Sequence, residues 1–383
     1  MTNETVKGFR DFTGKEAEKR AFVKEVIRRT FEKYNFEQVE TPIIEYEDFV
    51  KSGNADDEAV SDVFKLQDKG KRNLALRYEF TFQLKRIANN KKLPYKRFQI
   101  GPVFRDEPVS GNRLRQFTQC DVDIVGSSVK DDAEILAITS EILNNLKIEN
   151  TIYVGNRELL NQILEAQGIK KNKEQILREV DKLDKLSEKE VASNLKKYNV
   201  ESILKVLKKD ESYFKKFEAY KDVEELKRYC RYFGVKVVFQ PSLVRGLSYY
   251  NKNVFEVKTK GLKETICGGG SYLIEGIQAT GISFGLERLQ LITKMLVNIE
   301  KILIVSLNED KKAIEVSQQL RKQGKNVSVF YGKPSKALEY ANSYGIKKVI
   351  FVGKKEVEKK KFMIKNMQTG RQKLIVIGKK LGV

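Results

Sequence analysis

Residues 97–126, RFQIGPVFRDEPVSGNRLRQFTQCDVDIVG, hold the densest set of groups able to do chemistry. Two extended runs flank a polar turn region with Pro108, Gly111 and Asn112, the pattern of a hairpin with a long tip. Side chains alternate along a strand, so Arg113, Arg115, Phe117, Gln119, Asp121 and Asp123 share one face of the second run. The same rule pairs Arg105 with Glu107 on the first run. Guanidinium groups bind phosphate bidentately and an aromatic face stacks on a base, so the ordered set suits a nucleotide. A solvated strand face laced with salt bridges is the plainer account. Val122, Ile124 and Val125 argue against it, because they embed the strand within a sheet.

Three other stretches carry candidate chemistry. Leu74–Thr81 reads as extended and leads into a helix over Phe82–Asn89, and alternation puts Arg77, Glu79 and Thr81 on one side. A carboxylate beside a hydroxyl offers two acceptors to an ammonium group, and a surface salt bridge accounts for Glu79 equally well. Leu243–Val257 reads as two extended runs about a polar turn, followed by a strand running into Gly268, Gly269 and Gly270. Such a triplet allows close backbone approach or positive φ, but it matches neither the dinucleotide nor the P-loop fingerprint. Finally, Ala279–Ile292 runs strand, glycine, helix, with Arg288 in the first helical turn, where the dipole favours anions. A capping salt bridge with Glu287 or another acid is the alternative.

These groups need elements to position them, and 383 residues suffice for two or three domains. Residues 15–34 predict an amphipathic helix with Ala21, Phe22, Val26, Ile27 and Phe31 along one stripe, followed by a strand from Phe36 closed by Pro42. Residues 132–147 predict another helix, and Asn156 to about Phe233 is helical almost throughout, an insertion interrupting a mixed sheet. Beyond residue 300 a βαβαβ alternation predicts a separate small α/β domain with a largely parallel sheet. That segment holds 20 Lys and Arg against 6 Asp and Glu, so it carries most of the net charge of +21 and points to nucleic acid. A merely lysine-rich surface is the competing account.

Composition also excludes chemistry. The chain has no histidine, which removes imidazole bases and Ser-His-Asp or Cys-His sites. Cys120, Cys230 and Cys267 are isolated, and no metal site is expected. No apolar run reaches about 18 residues and the N-terminal stretch lacks a signal-peptide core, so a cytoplasmic protein without a membrane partner is expected.

Together the stretches resemble the histidyl-tRNA synthetase family of class II aminoacyl-tRNA synthetases, over essentially the whole chain. Lys7–Asp11 looks like the family's opening, the helix ending at Pro42 like motif 1, Phe104–Phe117 like motif 2 and Gly285–Arg288 like motif 3. Leu243–Tyr250 and Ile266–Tyr272 resemble the family's two histidine-binding motifs, and Gln119–Asp123 has the form of archaeal and eukaryotic members. The resemblance implies an α+β catalytic domain, an antiparallel sheet with flanking helices, over 1–154 and 236–297. It implies a helical insertion over 155–235 and an anticodon-binding α/β domain over 300–383.

It also implies a reaction. ATP and L-histidine would give histidyl-adenylate, and the histidyl group would pass to the 3′ end of tRNA(His), with Mg2+ accompanying ATP. Arg105 would hold the α-phosphate, Glu107 the ATP, Arg113 the outer phosphates, Phe117 the adenine and Arg288 the γ-phosphate. Arg245 would reach the α-phosphate and the substrate carboxylate. Glu79, Thr81 and Gln119 would receive the α-amino group, and Asp123, Tyr250 and Tyr272 would surround the imidazole. Motif 1 would form a homodimer. The chain departs from the family at Ser248, where Asp is usual, at Ser271-Tyr272-Leu273, where Arg-Tyr-Asp is usual, in a shortened segment before Ala279, and at Asn35, where glycine is usual. The alternative is a non-catalytic synthetase-like regulatory subunit of histidine biosynthesis. Such proteins usually lack the C-terminal domain and have lost motif arginines, whereas Arg105, Arg113, Arg245 and Arg288 are all present here.

Overall fold

The computed structural model describes residues 3–51, 62–109, 113–245, 249–260 and 262–376. Gly111, Asn112 and Ser248 lie outside the described residues. The chain divides into two compact units, Met1–Met295 and Leu296–Val383.

The first unit opens with α1 (Gly14–Lys33), which buries Arg20, Val23, Ile27, Thr30 and Phe31. The expected stripe through Ala21 is thus corrected: Ala21 is exposed, and the buried face is turned to take in Arg20. The cause is polar, because the Arg20 guanidinium has buried acceptors waiting for it. Asn35 follows with φ 62°, the left-handed conformation that Asn tolerates. The strand expected to run to Pro42 splits into β1 (Glu37–Gln38) and β2 (Ile44–Tyr46). Next come α2 (Glu47–Lys51), β3 (Lys65–Gln67), β4 (Asn73–Leu76), α3 (Thr81–Ala88), β5 (Tyr95–Phe104), β6 (Gln116–Val125), α4 (Val129–Asn145) and β7 (Thr151–Asn156). The Asn156 side chain caps the insertion's first helix by accepting from the Leu159 N–H at 2.9 Å.

The insertion is helical, as expected: α5 (Arg157–Ala166), α6 (Lys173–Asp181), α7 (Glu188–Leu195), α8 (Ile203–Leu207), α9 (Glu211–Phe214) and α10 (Tyr220–Tyr232). Leu160, Ile163, Leu177, Val191, Phe214 and Val223 give it a core of its own, while Leu226 and Cys230 of α10 pack into the main core. The chain then returns through β8 (Val237–Phe239), β9 (Tyr250–Thr259), β10 (Leu262–Ile274), β11 (Ile277–Gly285) and α11 (Leu286–Ile292). Two expectations are corrected here. Among the described residues of Leu243–Val257 there is one strand rather than two, with Leu243–Arg245 irregular. The glycine triplet lies inside β10 with no positive φ, so it serves close approach alone.

Strands β1-β5-β6-β11-β10-β9-β7-β8 form one eight-stranded sheet, antiparallel except at the β1–β5 and β7–β8 pairs. Strands β2-β4-β3 form a separate small sheet. Alternation along β6 sends Val122 and Ile124 into a core with Phe31, Phe98, Ile135 and Phe284 and leaves Gln119, Asp121 and Asp123 on the opposite face. The β5–β6 ladder stops at the Phe104–Gln116 pair. Arg105, Glu107, Arg113 and Arg115 therefore stand on the hairpin tip beyond the strands, where Pro108 cannot donate to a ladder. At the other end of the site, Glu275 and Gly276 join β10 to β11 in a two-residue turn with φ 46° and 79°, as a tight hairpin of primed type requires. The shortened segment is this turn.

In the second unit β12 (Lys301–Ser306), α12 (Asp310–Lys322), β13 (Asn326–Tyr331), α13 (Pro334–Ser343) and β14 (Lys348–Val352) follow the expected alternation. After α14 (Lys354–Lys359), the pair β15 (Phe362–Asn366) and β16 (Gln372–Ile375) adds an antiparallel hairpin that the alternation did not foresee. Strand order is β13-β12-β14-β15-β16, parallel only among the first three. Among the described residues no helix is long and apolar enough to cross a membrane. All three cysteines are buried and unpaired.

A side chain at Gly269 would place its Cβ 1.9 Å from the Gly281 carbonyl oxygen, whereas at Gly276 it would meet nothing within 4 Å. Gly269→Ala is expected to cost more than about 3 kcal/mol or to prevent folding. Gly276→Ala, strained only by its positive φ, is expected to cost about 1 kcal/mol. Urea unfolding of the two variants checks the contrast.

Candidate active site

One face of the central strands carries an acidic pocket beside a cationic one. The acidic pocket forms around β6. Asp123 receives the Tyr272 hydroxyl on one oxygen, and its other oxygen lies 2.8 Å from the Arg97 guanidinium. Asp121 accepts from the Ser283 hydroxyl at 2.5 Å, and Ser283 in turn accepts from the Gln119 amide at 2.6 Å. Gly281 makes the room, because a Cβ there would sit 2.0 Å from the Asp123 carboxylate. Glu79 is buried just ahead of α3, close enough to the Thr81 side chain for that group to favour its charged form. Tyr249, Tyr250 and Tyr272 close the far wall, with the Tyr250 and Tyr272 ring centroids 6.4 Å apart and the planes nearly perpendicular.

Three buried carboxyls thus lie near one buried guanidinium, whose charge only partly offsets the effect of their burial. Burial pushes Glu79 and Asp121 up to about 7 each, with Asp123 nearby adding to both, and burial raises Asp123 as well. Glu79 Oε1 and Gln119 Oε1 have no hydrogen-bond partner among the described residues. Buried acceptors left open cost about 1–3 kcal/mol each, so the pocket is arranged for a cationic, hydrogen-bond-donating ligand.

The cationic pocket draws on three separate stretches. The Arg105 guanidinium lies 4.2 Å from the Tyr78 ring centroid and 5.1 Å from that of Phe117, with its Nε unpartnered. Glu107 sits 3.9 Å from Arg105 and 3.4 Å from Arg113. Arg245 is held by Glu256 at 3.2 Å and lies so close over β10 that a Cβ on Gly268 would be 2.4 Å from its Nη1. Arg288 donates to the Thr265 carbonyl at 2.6 Å. Burial holds its guanidinium below the usual range; Glu264 opposes this, and the charges of Arg113, Arg105 and Arg245 add to it. Four guanidinium groups near enough to repel one another mark a site for a polyanion.

All twelve site residues expected from the sequence line these two pockets or their rim. Three further readings of the sequence fail. Arg77 does not join Glu79 and Thr81, because its guanidinium is taken by the Pro102 and Thr41 carbonyls at 2.7 and 2.8 Å. Arg115 props the hairpin tip instead, paired with Asp106 and the Glu107 carbonyl, with its stem packed where only Gly8 leaves space. Glu287 does not pair with Arg288. It accepts from Arg20 at 2.8 Å and from the Thr118 N–H at 3.1 Å. Ser271 points away from the pocket, its hydroxyl donating at 3.0 Å to Asp132, which also receives Asn253 at 2.7 Å. Arg97, Ser283 and Glu256 carry no motif signal. The alternation on β6 did mark Asp121.

Residues 8–289 match the family described as Histidyl-tRNA synthetase, and residues 301–380 match the one described as Anticodon binding domain. The chain is 32% identical to Histidine--tRNA ligase 2 of Shouchella clausii, over 96% of this chain and 97% of that one. It is 33% identical to Histidine--tRNA ligase of Methanococcus aeolicus, over 96% and 97%. Its fold matches the crystal structure of histidyl-tRNA synthetase from Nostoc sp. PCC 7120 with a TM-score of 0.86 at 25% identity, covering 98% of this chain and 97% of that one.

A carboxyl whose pKa folding raises holds a proton in the folded state that the unfolded chain has released above about pH 4. Glu79 and Asp121 therefore withdraw stability as pH rises from about 4 through about 7. Glu79→Gln removes one such group, so its melting temperature is expected to exceed the parent's at about pH 8, with the gap closing toward about pH 5. Ligand-free thermal unfolding across that range checks the sign.

Proposed function

The chain belongs to the histidyl-tRNA synthetase family, and we propose that it activates histidine with ATP and passes the histidyl group to the terminal adenosine of tRNA(His). The supporting observation is the juxtaposition of four guanidinium groups with a buried, acid-lined pocket on one sheet face. The first suits a triphosphate. The second suits the α-ammonium and ring nitrogens of histidine.

In this reading Phe117 stacks on adenine, Arg105 holds the α-phosphate, Glu107 and Arg113 bind the nucleotide and its outer phosphates, and Arg288 holds the γ-phosphate. Glu79, Thr81 and Gln119 take the α-ammonium. Asp123, Tyr250 and Tyr272 enclose the imidazole, with Asp121 and Ser283 behind them. Histidine's carboxylate is then directed toward Arg245. A carboxylate oxygen bonds to the α-phosphorus while the bond from that phosphorus to the bridging oxygen breaks, and pyrophosphate leaves with the electron pair. Negative charge gathers on the α-phosphoryl oxygens, where Arg105 and Arg245 are already placed, so little reorganisation is needed at the moment of reaction. In the second step a ribose hydroxyl of the tRNA bonds to the carbonyl carbon, the bond from that carbon to the phosphate oxygen breaks, and AMP departs with the hydroxyl proton taken up by its phosphate. Positioning and charge carry both steps without an imidazole base. Magnesium enters as part of the ATP substrate, bound chiefly by phosphate oxygens.

The remaining assignments belong to the same proposal. The basic module over 300–383 grips the anticodon end of the tRNA, and the insertion over 155–235 lies against the acceptor stem. Two chains pair through α1 and β1. Exposed Ile43, Ile44 and Tyr46 on and beside β2, with Leu66 on β3, support such a contact. The setting is the cytoplasm. The regulatory-subunit alternative is not favoured, since the relatives that span the chain are named as ligases.

ATP–pyrophosphate exchange with each amino acid offered separately tests the reading. Exchange is expected with histidine alone, and Arg245→Ala is expected to lower it at least about 100-fold. Folded protein that exchanges with no amino acid, even with tRNA present, would refute the synthetase assignment.

A further inference from the structure

Strand β9 carries Glu256 and Lys258 two residues apart, on one face of the sheet. Glu256 Oε1 accepts from Arg245 Nη1 at 3.2 Å and also from the Thr265 hydroxyl. The carbonyl of that same Thr265 accepts from Arg288 at 2.6 Å. Glu256 thereby steadies one phosphate-facing arginine directly and touches the residue that steadies the other. Its second oxygen lies 3.3 Å from Lys258 Nζ, and Lys258 donates onward to Asp184 at 2.8 Å. Asp184 belongs to the helical insertion, at the turn after α6. Asp181, the last residue of α6, is largely buried and adds a second carboxylate whose charge reaches Arg245. A continuous chain of ion pairs and hydrogen bonds thus runs from the insertion to Arg245 and Arg288.

We propose that Asp184, Lys258 and Glu256 act as positioning residues through which the insertion sets the guanidinium of Arg245 for the adenylation step. The inference rests on the synthetase reading above. Among the described residues Glu256 is the carboxylate within ion-pair distance of Arg245. Lys258 stands between two carboxylates, and Asp184 decides how firmly it leans on Glu256. Loss of Asp184 frees the ammonium to close on Glu256 and draw that carboxylate off Arg245. Loss of Lys258 leaves a nearly buried carboxylate short of a cation. Both changes disturb one guanidinium, so their effects converge.

The test uses the full chain carrying Asp184→Asn, Lys258→Met, both together, or Lys258→Arg. Histidine-dependent ATP–pyrophosphate exchange and thermal unfolding are read for each. Each single variant is expected to lower kcat about three- to tenfold with KM for ATP and histidine within about twofold, and the double variant to be no worse than the poorer single. Lys258→Arg is expected to keep most of the parent kcat. Asp184 and Lys258 are partly exposed, so melting temperatures should move little. Parent-like kcat in both single variants, losses that multiply in the double variant, or losses that track melting temperature would each overturn the proposal. A parent protein without exchange would instead remove the synthetase reading and this inference together.

Discussion

The site depends on how near a cation can come to a peptide plane. Arg245 lies over Gly268 at a distance that no side chain on that strand position would permit, and Gly281 gives Asp123 the same freedom one strand away. Bare backbone in the middle of an eight-stranded sheet is what allows cationic and acidic pockets to adjoin without a wall of side chains between them. The cost falls on the empty protein. Four guanidinium groups repel, burial pushes Glu79 and Asp121 up to about 7, and several buried polar atoms stay open among the described residues. Ligands bearing the opposite charges would relieve all three, so in the proposed reading the features that weaken the empty fold are those that bind substrate.

Much of this was legible in the sequence, wherever the signal was periodic or local. Alternation along β6 ordered Gln119, Asp121 and Asp123 on one face, and the long helical tract from Asn156 stood out as an insertion. The twelve candidate site residues were reachable because their stretches resemble motifs of a known family. What escaped was set by distant partners. Arg20 turns the α1 stripe because Glu287 and Thr118 await it, and Ser271 points to Asp132 across 139 residues of sequence. Arg115 sat in the right alternation for phosphate, yet the gap at Gly8 draws it into the hairpin tip. The β15–β16 hairpin escaped for a different reason, being short and closed by a loop in which the Asn366 side chain accepts from Gln368 and Thr369 N–H groups.

The insertion is more than an appendage. It has its own apolar core, which would let it hold together as a unit, but α10 lends Leu226 and Cys230 to the main core and Asp184 reaches the sheet through Lys258. Packing joins it to the catalytic sheet at one end and electrostatics at the other. The departures at Ser271 and the Glu275–Gly276 turn fall into place beside this. Ser271 serves the buried network under the sheet, and the turn closes the β10–β11 hairpin directly after the Ile274–Ile277 pair.

The enclosure made by Asp123, Tyr250 and Tyr272 is built from phenols and a carboxylate, in a chain with no imidazole of its own. Every imidazole resonance in a mixture of this protein with isotopically labelled amino acid therefore arises from the guest. The two ring nitrogens have different shifts when protonated, bare or hydrogen-bonded, so a nitrogen spectrum would report the tautomer of a histidine bound in the proposed enclosure directly. Assignment of the protein itself is unnecessary, and no background need be subtracted.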